Sequence, residues 1–182
     1  DVGYYIPSRS GEGYGLSKVA INSLAKQGIS LIITVDTGIT ANEEAVHAAS
    51  VGVDMVITDH HECRADLPCA IAVVNPHRPD CKYPFKELAG VGVVFKFLCA
   101  CEARRAGVSL DAAFETVAAQ YVDLVAIGTI ADVMPIKEEN RIIVRYGLAM
   151  IENTDRVGLA ALIEAASAKN DIQRSAQKKK KV

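Results

Sequence analysis

The chain has 182 residues, 50% of them hydrophobic and 23% charged, with 20 basic against 22 acidic side chains and a net charge of −2. At roughly 150 residues per domain this length fits one globular domain, and the apolar fraction excludes a disordered chain. The balanced charge excludes a globally basic nucleic-acid binder but not a local basic groove, and 5% aromatic residues with no Trp leave little for a base-stacking platform.

Tyr4-Tyr5-Ile6 reads as a short strand ended by Pro7, and residues 8–15, with their three glycines, as a loop. From Ser17, the spacing of Val19, Ile21, Leu24 and Ala25 predicts a helix stopped at Gly28. Leu31-Ile32-Ile33-Thr34-Val35 is an uninterrupted, largely β-branched run that predicts a buried parallel strand. Thr40 followed by Glu43 predicts a capping box opening a helix that runs to about Val51 and closes at Gly52. Met55-Val56-Ile57-Thr58 predicts the next buried strand, and Ile71-Ala72-Val73-Val74 another, stopped by Pro76. This alternation predicts an α/β fold: a parallel sheet with flanking helices. Beyond Glu87 the pattern turns mostly helical. It predicts a helix over 91–105, a helix capped by Ser109 over about 111–121, and a buried helix through the apolar stretch 122–130. Helices over 140–151 and 159–166 complete that half. Residues 1–167 thus read as one domain, and residues 168–182, with Lys178-Lys179-Lys180-Lys181, as a solvated tail or linker.

No apolar run in the sequence approaches the roughly 20 residues of a membrane span, and no basic, apolar signal segment opens the chain. Five cysteines (Cys63, Cys69, Cys81, Cys99 and Cys101) form no framework and no C-x-x-C pair, which predicts a reduced, cytoplasmic setting.

In an open α/β sheet, ligands gather at the carboxyl ends of the strands. Three polar groups stand at those positions: Asp36 after the first buried strand, Asp59-His60-His61 after the second and Asn75 after the third. A lone Asp after a strand is more often a turn or cap residue. Carboxylate and imidazole ending two consecutive strands instead offer a ligand set for Mn²⁺, Mg²⁺ or Zn²⁺. The adjacent histidines point in different directions unless the chain turns, so one is expected to ligate metal and the other to face substrate. Asp132 closes the apolar run through Gly128-Thr129-Ile130-Ala131, where an unpaired carboxylate is costly, so a cation or donor is expected beside it. Asp123 competes as a buried structural acid. Gly90-Val91-Gly92 opens a helix whose amides suit a phosphate, although close backbone packing is the plainer reading. Arg9, Lys18, His77 and Arg78 can bring positive charge to a phosphodiester. The spacing of Cys63, Cys69 and Cys81 matches no zinc finger.

Asp59-His60-His61 after a hydrophobic strand resembles the signature of the DHH phosphoesterase superfamily. The stretches Glu12-Gly13-Tyr14-Gly15-Leu16-Ser17, Val35-Asp36-Thr37-Gly38-Ile39, Val74-Asn75-Pro76, Leu88-Ala89-Gly90-Val91-Gly92-Val93 and Gly128-Thr129-Ile130-Ala131-Asp132-Val133 resemble, in order and spacing, the RecJ exonucleases within it. The resemblance covers about residues 3–165. It implies a DHH domain and 5′→3′ hydrolysis of single-stranded DNA with two Mn²⁺ or Mg²⁺ ions, in repair and recombination alongside repair proteins. It further implies that Asp36, His60 and Asp132 ligate metal, that His61 lies near the scissile phosphate and that Asp59 orients a histidine. Asn75, Arg78, Gly90 and Gly92 are the candidate substrate contacts. The family's Asp-x-Asp strand and its later strand-gripping domain are not matched here, so the resemblance is to part of a catalytic domain with a sheet edge or face left exposed. A phosphoesterase for short oligonucleotides or cyclic dinucleotides, and a non-catalytic binding domain, are the alternatives.

Overall fold

The first two helices stop at glycines, and a strand follows each. The computed structural model describes residues 2–7 and 15–167. In chain order it contains α1 (Lys18–Lys26), β1 (Leu31–Val35), α2 (Asn42–Ser50), β2 (Asp54–Thr58), β3 (Ala72–Val74), α3 (Gly90–Ala106), α4 (Leu110–Ala131) and α5 (Glu138–Ile151). A further helix, α6, covers Val157–Ser167. The Ser17 hydroxyl caps α1 by accepting from the Ala20 amide. Gly28, at φ 81°, ends it in a Schellman turn: its own amide bonds Ala25 O and the next amide, of Ile29, bonds Leu24 O. Gly52 ends α2 in the same way, with φ 76°.

The three strands pair in parallel, in the order β1-β2-β3. The register aligns Val35 with Thr58 and Thr58 with Val74. Asp36, Asp59 and Asn75 therefore leave the sheet at one level. One apolar cluster joins the sheet to α1 and α2 through Ile21, Ala45, Ala48, Met55 and Ile57. A second holds α3, α4 and α5 together around Phe95, Val117, Val122, Val125 and Ile143. Phe95 is 1% exposed; burying such a side chain contributes about 1.5–3 kcal/mol.

Five expectations change. β3 is not a buried strand: Ile71 before it and Ala72 are exposed, and Val73 and Val74 are only half-buried. Residues 4–6 form no strand among the described residues, and Tyr4 and Ile6 are exposed. β1 is parallel but not buried: as an edge strand it leaves Leu31, Ile33 and Val35 about half exposed. The capping box at Thr40 does not form, because Ala41 is the N-cap of α2 without a side-chain bond, and Glu43 instead pairs with Lys18 of α1 at 2.7 Å. The two helices expected over 111–130 are one, since nothing in the sequence between Tyr121 and Val122 breaks a helix. At 22 residues this α4 is long and apolar enough, by length and composition, to cross a membrane. It is packed between α3 and α5, as a core helix is. Residues 168–182 and most of the glycine-rich loop lie outside the described residues.

Candidate metal centre

At the end of β1 a buried threonine pair fixes the turn that follows. Thr58 Oγ1 donates to Thr34 O at 2.6 Å, and Thr34 Oγ1 donates to Thr37 O at 2.7 Å. The chain then turns through Asp36 at φ 62°, a left-handed conformation that Asp tolerates, and Gly38 at φ 110°. A side chain at residue 38 would meet Thr34 Oγ1 at 3.0 Å, so glycine is needed there on space as well as angle. The turn delivers the Ile39 amide to Asp59.

Asp59 is 1% exposed and is met by four donors. Its carboxylate accepts from the amides of Ile39 (2.9 Å), His60 (2.7 Å) and His61 (3.2 Å), and from His61 Nδ1 at 2.7 Å. Burial alone pushes its carboxyl upward, but these donors outweigh it and hold the group below the usual carboxylate range. The hydrogen bond to Asp59 in turn raises the His61 imidazole, against the smaller opposing effect of burial. With Nδ1 turned to Asp59, His61 keeps Nε2 free of that bond, on a side chain that is 47% exposed.

His60 turns elsewhere. The two rings sit 4.5 Å apart at 59°. His60 Nε2 lies 3.0 Å from Asp36 Oδ1 and 3.3 Å from Asp132 Oδ2. Among the described residues, neither His60 Nε2 nor Asp36 Oδ1, both buried atoms, has a hydrogen-bond partner. Burial pushes the Asp36 carboxyl up; His60 pulls it back and Asp132 pushes it further up. Asp132 is the C-cap of α4, a helix with no basic residue in its last turn, so its charge sits at the negative end of the helix. The ligating atoms of Asp36, His60 and His61 lie within 4.8 Å of one another. Asp36, His60 and His61, with Asp132 Oδ2 3.3 Å from His60 Nε2, form a carboxylate and imidazole arrangement that a divalent cation would complete.

The structure thus brings Asp36, Asp59, His60, His61 and Asp132 together. Asn75 is buried behind them: its Nδ2 donates to His61 O at 2.9 Å and its Oδ1 accepts from the His77 amide at 2.7 Å. Arg78 is engaged by Asp80 and by Val73 O. With Asn75 it lines a cavity of about 370 Å³ that none of the five clustered residues lines. A second cleft, of about 340 Å³, runs from Gly15 and Leu16 past Thr37–Ala41 to Asp59 and His61. Gly92 packs on Leu88, whose Cβ a methyl at residue 92 would meet at 3.3 Å. Asp123 is a structural acid, paired with Arg156 at 2.7 Å. Lys18 pairs with Glu43 on the outer surface, His77 Nδ1 lies 3.0 Å from Glu62, and Arg9 is outside the described residues. Among the described residues, all five cysteines are free thiols.

One contributor carried no legible role in the sequence, and another had only its close packing signalled there. A methyl on Gly90 would lie 2.4 Å from Asp36 Oδ1, so the first turn of α3 backs directly onto that carboxylate; the Gly90-Val91-Gly92 spacing was the signal. Asn140, fully buried, donates from Nδ2 to Glu87 O at 2.6 Å and to Pro135 O at 3.0 Å. No local pattern marks it.

The model of the DHH family, N-terminal domain, matches residues 1–129. The chain is 47% identical over 163 residues to the single-stranded-DNA-specific exonuclease RecJ of Bacillus subtilis, covering 90% of this chain and 19% of that protein. It is 39% identical over 172 residues to the RecJ of Escherichia coli, covering 92% of this chain and 30% of that protein. A crystal structure of exonuclease RecJ bound to manganese superposes with a TM-score of 0.73 at 36% identity, covering 88% of this chain and 39% of that one. The RecJ–Mn²⁺ complex from Thermus thermophilus gives a TM-score of 0.66 at 36% identity, covering 82% of this chain and 21% of that one. The chain spans 19% and 30% of the length of the two curated relatives described.

Proposed function

The chain belongs to the DHH family, and on that premise we propose that it carries the metal-ligating core of a phosphodiester hydrolase that degrades single-stranded DNA in the 5′→3′ direction. The observation that supports this best is the convergence of Asp36 Oδ1, His60 Nε2 and Asp132 Oδ2, with two of these atoms buried and, among the described residues, without a hydrogen-bond partner. An oxygen-rich set with one imidazole suits Mn²⁺ or Mg²⁺. Asp36, His60 and Asp132 would hold the metal, with further ligands completing a two-metal site. Bound there, a divalent ion supplies water activation at neutral pH and charge neutralisation on the phosphate.

The protein's own groups do the rest. Asp59 fixes the imidazole of His61 through Nδ1 and favours its protonated form. His61 then presents an Nε2–H toward the cleft, where it can hydrogen-bond a phosphate oxygen or protonate the leaving oxygen. Asn75 supports the His61 backbone from behind, and Arg78 braces the loop after β3 rather than reaching free into the cleft. Gly90 and Gly92 serve close packing. A place in DNA repair or recombination, in the cytoplasm, follows from this activity.

The test grafts this chain into B. subtilis RecJ in place of the segment it matches. The graft is expected to degrade single-stranded DNA only with Mn²⁺ or Mg²⁺. Asp36→Ala in the graft is expected to lower the rate by about two orders of magnitude, the scale of losing a charge-stabilising group at a reacting centre. Activity confined to short oligonucleotides would favour the oligonucleotide phosphoesterase. A folded graft with no activity, and no Mn²⁺ uptake by calorimetry, would leave only a binding domain.

A further inference from the structure

Metal ligands in this fold come from two bodies. Asp36 and His60 follow strands of the sheet, whereas Asp132 ends α4 in the helical half. Something must hold the end of α4 in register with the sheet. We infer that Asn140 is this positioning residue: it fastens the Asp132 turn to the start of α3, and so sets the spacing of the metal ligands. The inference rests on the reading of Asp36, His60 and Asp132 as ligands.

Three observations carry it. Asn140 is 0% exposed and sits in the first turn of α5, yet its Nδ2 bonds backbone on two other segments. One bond goes to Pro135 O, three residues past Asp132; the other goes to Glu87 O, three residues before Gly90. Gly90 is the residue on which Asp36 rests. The chain of contacts is therefore continuous: Asp132 turn, Asn140, the loop before α3, Gly90, Asp36. Close packing of α3 on α4 reinforces it, since a methyl on Gly128 would lie 2.7 Å from Val91. At the surface, Lys137 Nζ meets Glu87 Oε2 at 2.9 Å and ties the same two loops. That pair is half in solvent and worth little. Asn140 is the buried tie, and its amide offers two donors at once, which no apolar residue of its size can do.

The experiment compares the chain with Asn140→Ala, Asn140→Ser, Lys137→Ala and Asp123→Asn. Asp123→Asn loosens α4 at its Arg156 contact, away from the cluster, and controls for stability alone. Two readouts are taken on each folded protein. The first is the His60 ring resonances by NMR in metal-free buffer, and the second is Mn²⁺ affinity by calorimetry. Asn140→Ala is expected to move the His60 resonances and weaken Mn²⁺ by about ten- to a hundredfold, the range for residues that orient metal ligands. Asn140→Ser, with one donor, should fall between. Lys137→Ala and Asp123→Asn should leave both readouts as in the parent. If Asn140→Ala does not fold, Asn140→Ser carries the comparison. Unmoved His60 resonances with unchanged affinity, or equal losses in Asp123→Asn, would overturn the inference. Should the parent chain take up no Mn²⁺, the metal reading fails, and the His60 resonances alone decide whether Asn140 sets this geometry.

Discussion

At the scale of single residues the centre is built from charges placed where they are poorly satisfied. Asp59 is the exception, and its four donors make it the anchor for both histidines. The Asp59–His61 pair has a pH window that follows from its two shifts. His61 is raised above its ordinary 6.5, so its contribution to stability is full below that value and is lost as pH rises through the raised one. Asp59 is lowered below 3.8, so its contribution persists above that value and disappears as pH falls through the lowered one. Asp59→Asn is expected to bring the His61 titration, followed by NMR, down toward 6.5. It also leaves the Ile39 amide facing an amide nitrogen, a loss of about 1–3 kcal/mol at any pH. Urea midpoints should therefore show a larger deficit for the variant at about pH 5 than at about pH 9. A deficit that grows with pH would refute the pairing. Gly90 is the second residue that decides geometry. Gly90→Ala places a methyl 2.4 Å from Asp36 Oδ1 and 2.5 Å from its Cβ, so Asp36 must move. Mn²⁺ affinity is expected to drop by about ten- to a hundredfold while the chain stays folded, as calorimetry and circular dichroism would show.

At the scale of elements, most ends were legible because their causes are local. Ser17 and Ser109 cap helices through their own hydroxyls, and Gly28 and Gly52 stop them by adopting a positive φ. The runs at Leu31–Val35 and Asp54–Thr58 form strands because β-branched residues suit a pleated surface. What was not legible depends on partners far along the chain. The exposure of β1 follows from strand order, and Asn140 acts on backbone 53 residues away. The end of α4 is a third case. Val133 and Met134 donate to Ile130 O and Thr129 O, a Schellman turn with Val133 at φ 57° where glycine is usual. A β-branched residue there costs about 1–2 kcal/mol, and nothing in the sequence announces it. Val133 is 87% exposed, so it returns no packing. Val133→Gly is expected to raise stability by about 0.5–1 kcal/mol, after the entropy that glycine gives the unfolded chain. For a protein of this size that is a rise of about 1–4 °C in Tm. Gly147 is the opposite case: a methyl there would lie 2.3 Å from Ala126 Cβ and 2.5 Å from Val122 O, where α5 crosses α4. Gly147→Ala is expected to destabilise by about 1–3 kcal/mol through overpacking, read from urea midpoints.

At the scale of the whole molecule, the sheet and the helical half have separate apolar cores, and the candidate centre draws ligands from both. A cation held there stabilises the joint between them by mass action. At about a hundred times the dissociation constant it adds about 2.7 kcal/mol, or about 5–10 °C in Tm for this length. Without metal the same carboxylates work against the fold. Asp132 lies at the negative end of α4 and raises the Asp36 carboxyl across the cluster. Asp132→Asn removes both effects, so in chelator at about pH 8 the variant is expected to match or exceed the parent by up to about 1 kcal/mol. With Mn²⁺ the order should reverse, because the parent gains the full binding energy and the variant loses at least about 1.4 kcal/mol of it for each tenfold fall in affinity. Thermal melts of both proteins, with chelator and across a Mn²⁺ series, measure this directly. A crossing of the two Tm curves as Mn²⁺ rises means that Asp132 is kept for the metal at the expense of the apoprotein. Parallel curves would mean that Asp132 plays no part in holding it, and that His60 pairs with Asp132 as an ordinary structural contact.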